Sequence, residues 1–364
     1  GAEIVDSKGA GTGEYAGFGL FAENGAKITT AGTSLATDGP KIEVEGGSVA
    51  LASVGANSEV VVDKGTVTYD GKGYALYSKN NGKVHLTDGK LVLKGEATGF
   101  SVDASVPASA QPIKLTGSKV DMQSDNAILM SIKNATNLST TGIAATLLGY
   151  SGLNPSDVST STGNNYYKLA VLDGAKINID GTGIDKSDST AGSDSEVFTR
   201  RLLIQNSILN VDSKVLAQLN TTQITDIDSN LAIPVGLAVS ASGNSQNIST
   251  TGVNVANGAT ITVDRTDSGN GGVGAYVNYG TISNDGKIEV EKTTPNDFAV
   301  GLYATNGTQV DNKSNGTIEV GGKDSIGILG LSYRIDSKNN VVYEKFGTTG
   351  PSVFSNKLGT VDIT

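Results

Sequence analysis

The chain has 364 residues, with 48 Gly, no Cys, no Trp and only 5% aromatics. Its formal net charge of −10 and acidic pI of about 4.7 argue against nucleic acid as a partner, because phosphate binding needs clustered Lys and Arg. Lack of Cys removes disulfides and thiolate metal sites, and no run approaches the roughly 18 apolar residues of a membrane span.

From Gly17 to Val102 the chain repeats short alternating strands. Gly19-Leu20-Phe21-Ala22-Glu23-Asn24-Gly25 ends in Asn-Gly, whose residues tolerate left-handed backbone and so mark a turn. Ala75-Leu76-Tyr77-Ser78-Lys79-Asn80-Asn81-Gly82 and Gly301-Leu302-Tyr303-Ala304-Thr305-Asn306-Gly307 are copies of it. A second strand type recurs at Lys41–Val44, Gly65–Tyr69, Gly89–Leu93, Ser118–Met122, Ala175–Ile179, Leu209–Val211, Ala259–Val263, Lys287–Val290, Thr317–Val320 and Gly359–Ile363. Its first apolar positions are 25, 24, 29, 57, 32, 52, 27, 30 and 43 residues apart. The spacing reads 57 and 52 as double turns, and 43 as one turn with an insertion.

Three strands per turn, 24 to 30 residues per period and outward Lys, Glu, Thr or Asn alternating with inward Ile or Val describe a parallel β-helix. Right-handed crossovers are expected. The fold class is thus all-β, one continuous β-helix segment over 1–364, with about 12 to 13 turns by length. Neither the leucine ladder of a leucine-rich repeat nor helical periodicity is present.

Four stretches break the pattern: 144–168, 185–198, 212–230 and 334–351. The first admits a short helix at Ala144–Leu148, and Lys214–Leu219 a helical turn. These excursions hold the candidate binding residues Tyr166, Tyr167, Tyr333, Tyr343 and Phe346, since aromatics on loops stack on sugars or anchor protein partners. The alternative is that they pack their own loop onto the coil.

Catalytic and metal motifs are sparse. His85, the one histidine, lies between inward Val84 and Leu86 and should face solvent, and no serine elbow accompanies it as a triad would need. Gly269–Gly274 resembles a calcium-binding glycine repeat, but Tyr276 stands where Asp is required. Asp185, Asp188, Asp194 and Glu196 offer oxygen ligands without calcium-loop spacing. Glu43, Glu289 and Glu319 fall on outward strand positions, as a solvated face would have them, although paired carboxylates also serve glycosidases. No cofactor and no metal are expected.

The Gly-Leu-Tyr-Ala-x-Asn-Gly and Asn-x-Gly-x-Ile-x-Val strings resemble those in passenger domains of monomeric type V autotransporters, above all the large fusobacterial outer-membrane adhesins. The resemblance covers most of 17–364. It implies a right-handed β-helix displayed outside the cell, held at the outer membrane through a translocator domain. Its implied partners are a host glycan or protein receptor, or the surface of another bacterium. The serine-protease motif of the toxin branch is missing.

The expected function is therefore a non-catalytic, monomeric adhesin segment with no membrane contact of its own. The alternatives are a polysaccharide lyase or hydrolase, since β-helices host both, and a passive stalk displaying a distal tip.

Overall fold

A strand such as Lys41–Glu45 can bury only every second side chain. Ile42 and Val44 are each 1% exposed, while Lys41, Glu43 and Glu45 face solvent. Burying that single aliphatic side requires another strand of the same kind above and below.

The computed structural model describes residues 3–6, 17–124, 126–136, 138–139, 143–160, 168–172, 176–179, 202–204, 207–211, 214–218, 235–241, 251–264, 272–291, 299–322, 324–331, 333–335, 341–343, 353–356 and 360–363. It is nearly all β, with parallel sheets stacked as a β-solenoid. Contacts divide the chain into two units: Gly1–Asn134 with Gly142–Ala170, and Ala135–Thr141 with Val171–Thr364.

In the first unit, one sheet stacks Glu3–Asp6, Lys41–Glu45, Thr66–Asp70, Lys90–Lys94, Lys119–Met122 and Val158–Thr160, all parallel. A second stacks Lys27–Ala31, Glu59–Asp63, Lys83–Thr87 and Ile113–Thr116. A third side is formed by Phe18–Glu23, Val49–Val54 and Leu76–Lys79, and by Gly73–Tyr74, Ala97–Asp103 and Ile128–Lys133. The chain visits one strand of each side in succession, so a turn holds three strands, as the spacing predicts. Ile42, Val67, Leu91 and Val120 are register partners in one inward row.

Between second and first sheets the chain turns on one left-handed residue: Lys64, Asp88 and Gly117 have φ of 51°, 46° and 65°. The Lys64 and Asp88 amides each donate to the carbonyl of the next rung, Thr87 and Thr116, at 2.8 Å. Stacked corners of this kind satisfy backbone donors that would otherwise be lost at each bend.

The second unit repeats the plan. Seven strands form its longest sheet: Leu138–Ser139, Lys176–Ile179, Ile208–Val211, Gly252–Val255, Thr281–Asn284, Gln309–Asn312 and Val353–Asn356. Five form the next: Lys214–Gln218, Thr260–Asp264, Lys287–Val290, Thr317–Val320 and Thr360–Ile363. Four more, Val235–Ser240, Gly272–Asn278, Ala299–Thr305 and Ile326–Leu331, complete the turn. Inside this last sheet Gly274 and Gly301 face the core. A Cβ on Gly301 would stand 2.4 Å from Ile318 Cγ2 and 2.6 Å from the Gly327 oxygen.

Several expectations need correction. The strands at Ile177 and Leu209 belong to the seven-stranded sheet, not with Ile261, Ile288 and Ile318 in the five-stranded one. The steps of 57 and 52 residues therefore compare different sides of the coil and are not double turns. Alternation is the same on all sides, so the pattern alone does not tell them apart. The 43-residue step does hold, since Ile318 and Val361 are register partners. The longest face runs for about seven turns rather than 12 or 13, because dividing length by one period ignores inserted residues. Lys214–Gln218 is a strand in register with Thr260–Asp264, not a helical turn.

The short helix is present, at Ile143–Gly149. Leu147 and Leu148 are fully buried and Leu153 is 2% exposed. The Leu115 amide donates to the Ser151 carbonyl at 2.9 Å. This segment thus covers the edge strand Ile113–Thr116, the kind of edge that would otherwise offer free pairing groups. Among the described residues no helix is long and apolar enough to cross a membrane.

Candidate functional site

The excursion after Leu331 is the one the structure makes most distinct. The corresponding corner between Thr305 and Gln309 takes three residues, 306–308, whereas 332–352 intervene before Val353. Within them Tyr333–Ile335 and Val341–Tyr343 form a two-stranded antiparallel ribbon, set apart from the parallel sheets. Its register places Tyr333 opposite Tyr343 and Ile335 opposite Val341. Two aromatics named from sequence alone are thereby brought to one position of one ribbon, with an aliphatic pair on the same side. Tyr166, Tyr167 and Phe346 lie outside the described residues.

A larger set of aromatics was overlooked in the sequence. The third residue of the Gly-Leu-Phe/Tyr motif alternates outward. In the first unit Phe21 and Tyr77 occupy it, with Phe18 and Tyr74 three residues earlier. Phe18 stacks on Phe21 with ring centroids 4.6 Å apart, and Tyr74 meets Tyr77 at 6.2 Å. In the second unit the same motif gives Tyr276 and Tyr303, packed edge to face at 5.5 Å and only 2% and 7% exposed. They cluster with Val273 and Val300, flanked by Ala238, Leu329 and Leu331.

His85 sits on the outer side as expected, with Val84 and Leu86 buried on either side of it. Its Nδ1 is 3.7 Å from Glu59 Oε1, and Glu59 also holds Lys27 at 3.3 Å. Burial holds the imidazole below the ordinary histidine range. Glu59 opposes this, while the Lys83 and Lys114 charges reinforce it. A neutral imidazole is a competent base, yet its register partners are Val61 and Lys114. No hydroxyl among the described residues hydrogen-bonds it, so no nucleophile is matched to it.

The three glutamates separate. Glu43 pairs in register with Thr68. Glu289 and Glu319 are neighbours, bridged by Lys287 at 3.2 and 2.8 Å. Glu319 above all, against a burial effect of opposite sign, holds the Lys287 ammonium above its usual range. The bridging lysine offsets two stacked charges, which suits a solvated face better than an acid–base pair. Elsewhere on the outer surface Lys90 meets Asp121 at 2.9 Å and Lys119 meets Asp157 at 2.5 Å.

Asp185, Asp188, Asp194 and Glu196 lie outside the described residues, as do Gly269–Gly271. Among the described residues no group of three His, Cys, Asp or Glu could hold a metal. Compared with known protein families, with curated proteins and with solved structures, the chain finds no match.

Proposed function

We propose that the chain is a surface-displayed adhesin segment, a non-catalytic autotransporter passenger that attaches its cell to a host or to another bacterium. The observation that carries this reading is the contrast between a regular solenoid and one inserted ribbon that brings Tyr333 opposite Tyr343. The resemblance of the repeated Gly-Leu-Tyr-Ala-x-Asn-Gly and Asn-x-Gly-x-Ile-x-Val strings to adhesin passengers supports it, as does a solenoid built without a single Cys. Outer charges that satisfy one another, as at Lys287 between Glu289 and Glu319, leave aromatic positions as the sources of selective contact.

Binding of the 364-residue chain to cultured host cells and to other bacteria tests the reading. Adhesion by the intact chain that falls several-fold in Tyr333→Ser/Tyr343→Ser is expected. Adhesion to no cell type, or clear turnover of a surface polysaccharide abolished by an Asp or Glu substitution, would reject it.

A further inference from the structure

We infer that the outer side of the first unit's sheet Phe18–Glu23, Val49–Val54, Leu76–Lys79 binds a short neutral oligosaccharide on Phe18, Phe21, Tyr74 and Tyr77. The inference rests on the attachment reading only for the source of the sugar.

Outward positions elsewhere in this unit hold solvated side chains, such as Lys41 and Glu43 on one sheet and Lys27, Glu59 and Lys83 on another. Here they hold rings. Phe18 is 39% exposed, and Phe21, Tyr74 and Tyr77 are each half-buried. Phe21, Ala52 and Tyr77 are register partners, and Phe18 pairs with Val49. Ala52 and Val49 are fully buried, so the apolar surface of this side is carried mainly by the two aromatic pairs. The solenoid does not require these positions to meet solvent, because Tyr276 and Tyr303 in the same motif are buried. Exposure of large rings in place of Lys or Thr is disfavoured unless something else covers them.

Size and charge choose the occupant. Two rungs at about 4.8 Å and three residues at about 3.3 Å give a platform of about 100 Å². A stable protein interface needs about 800 Å² per partner, so a protein is too large a match, whereas one or two pyranose rings fit. A sugar presents apolar C–H faces and hydroxyl edges together. The rings supply the stacking surface, and the exposed Glu23 and Lys79 at the ends of the same strands supply polar partners of opposite sign. Their charges offset each other, which favours a neutral ligand.

The 364-residue chain is titrated with neutral tetrasaccharides of galactose, glucose and N-acetylglucosamine, by calorimetry and saturation-transfer NMR. With no Trp in the chain, tyrosine fluorescence gives a second readout. At least one sugar is expected to bind, with contact to its C–H protons. Phe18→Ser and Tyr77→Ser should each weaken it by about tenfold, and Tyr333→Ser should not. Thermal melts of each variant check folding, and Phe18→Ser, the most exposed ring, keeps the test valid if Tyr77→Ser melts early. Binding of none of the three sugars, or equal binding by Phe18→Ser/Tyr77→Ser, overturns the proposal. If the double variant still adheres to cells as the parent does, attachment stands and the platform falls. If the chain binds a sugar but no cell, the platform stands and the attachment reading falls. Adhesion that these sugars fail to compete and that protease treatment of the cells removes assigns a protein partner and also rejects the platform.

Discussion

Tyr69 shows how much a single polar atom matters in so thin an interior. Its ring is fully buried on an inward position, and its hydroxyl donates to the Ser48 carbonyl at 2.6 Å, with the Lys72 carbonyl at 3.2 Å. Tyr69→Phe keeps the ring and strips the corner of its donor, so unfolding free energy should fall by about 1–2 kcal/mol in a denaturant melt. Burial pushes the phenol up to about 12 from 10.0. A raised folded-state value means the contribution is whole below pH 10 and is lost as pH rises through about 12. The gap between parent and Tyr69→Phe should therefore shrink over that window, and a gap that does not change with pH would refute the assignment. Asn284 and Asn312 occupy the inward row that Val211 and Val255 hold two rungs earlier. The Asn284 amide donates to Asn312 Oδ1 at 2.8 Å, and Asn284 Oδ1 accepts from the Gly286 amide. Either Asn→Ala change leaves its partner buried without that bond. A double-mutant cycle should show a coupling of about 1 kcal/mol, and strict additivity would mean the pair is not coupled. The Asn-x-Gly string was visible as a turn in the sequence. Its inward direction was not, because polar residues on strands are read as solvent-facing by default.

Single elements differ in how far their sequence specifies them. The aliphatic strands were legible because period two, glycine corners and Asn-Gly turns agree with one another, as at Lys83–Thr87 and Thr281–Asn284. Their allocation to a side of the coil was not, since Ile177 and Ile261 stand in equivalent local patterns on different sheets. Ser-Thr-Thr-Gly-Ile at 139–143 and Ser-Thr-Thr-Gly-Val at 249–253 make the same point: Ile143 opens a helix while Val253 lies in a strand. Packing decides between them. The 144–168 excursion also changes meaning, from a binding outgrowth to one whose helix covers an edge strand. Leu148→Ala, in a fully buried position, should cost about 2–4 kcal/mol. Tyr333→Ser/Tyr343→Ser, on the separate ribbon, should leave the melting curve nearly unchanged while lowering adhesion. A stability loss on the ribbon equal to that at Leu148 would recast it as part of the scaffold.

At the scale of the whole molecule, a solenoid's stability is a sum of neighbouring contacts, so damage at one rung should stay local. Gly301 is the sharpest place to ask. It faces the core at a bend where Ile318 and Gly327 from neighbouring elements come within 2.6 Å of any added Cβ. The Gly327 atom is backbone, which cannot swing aside as a flexible side chain could. Gly301→Ala must therefore push rungs apart, at a cost of about 1–3 kcal/mol or more. Hydrogen exchange separates a local from a global response, because each amide reports the opening of its own segment. Amides of Gly272–Asn278, Ala299–Thr305 and Ile326–Leu331 should exchange faster, whereas those of Lys83–Thr87 and Lys90–Lys94 in the other unit keep their protection. Equal acceleration in both units would mean that the chain opens as one cooperative body, and nearest-neighbour stacking would then not describe it.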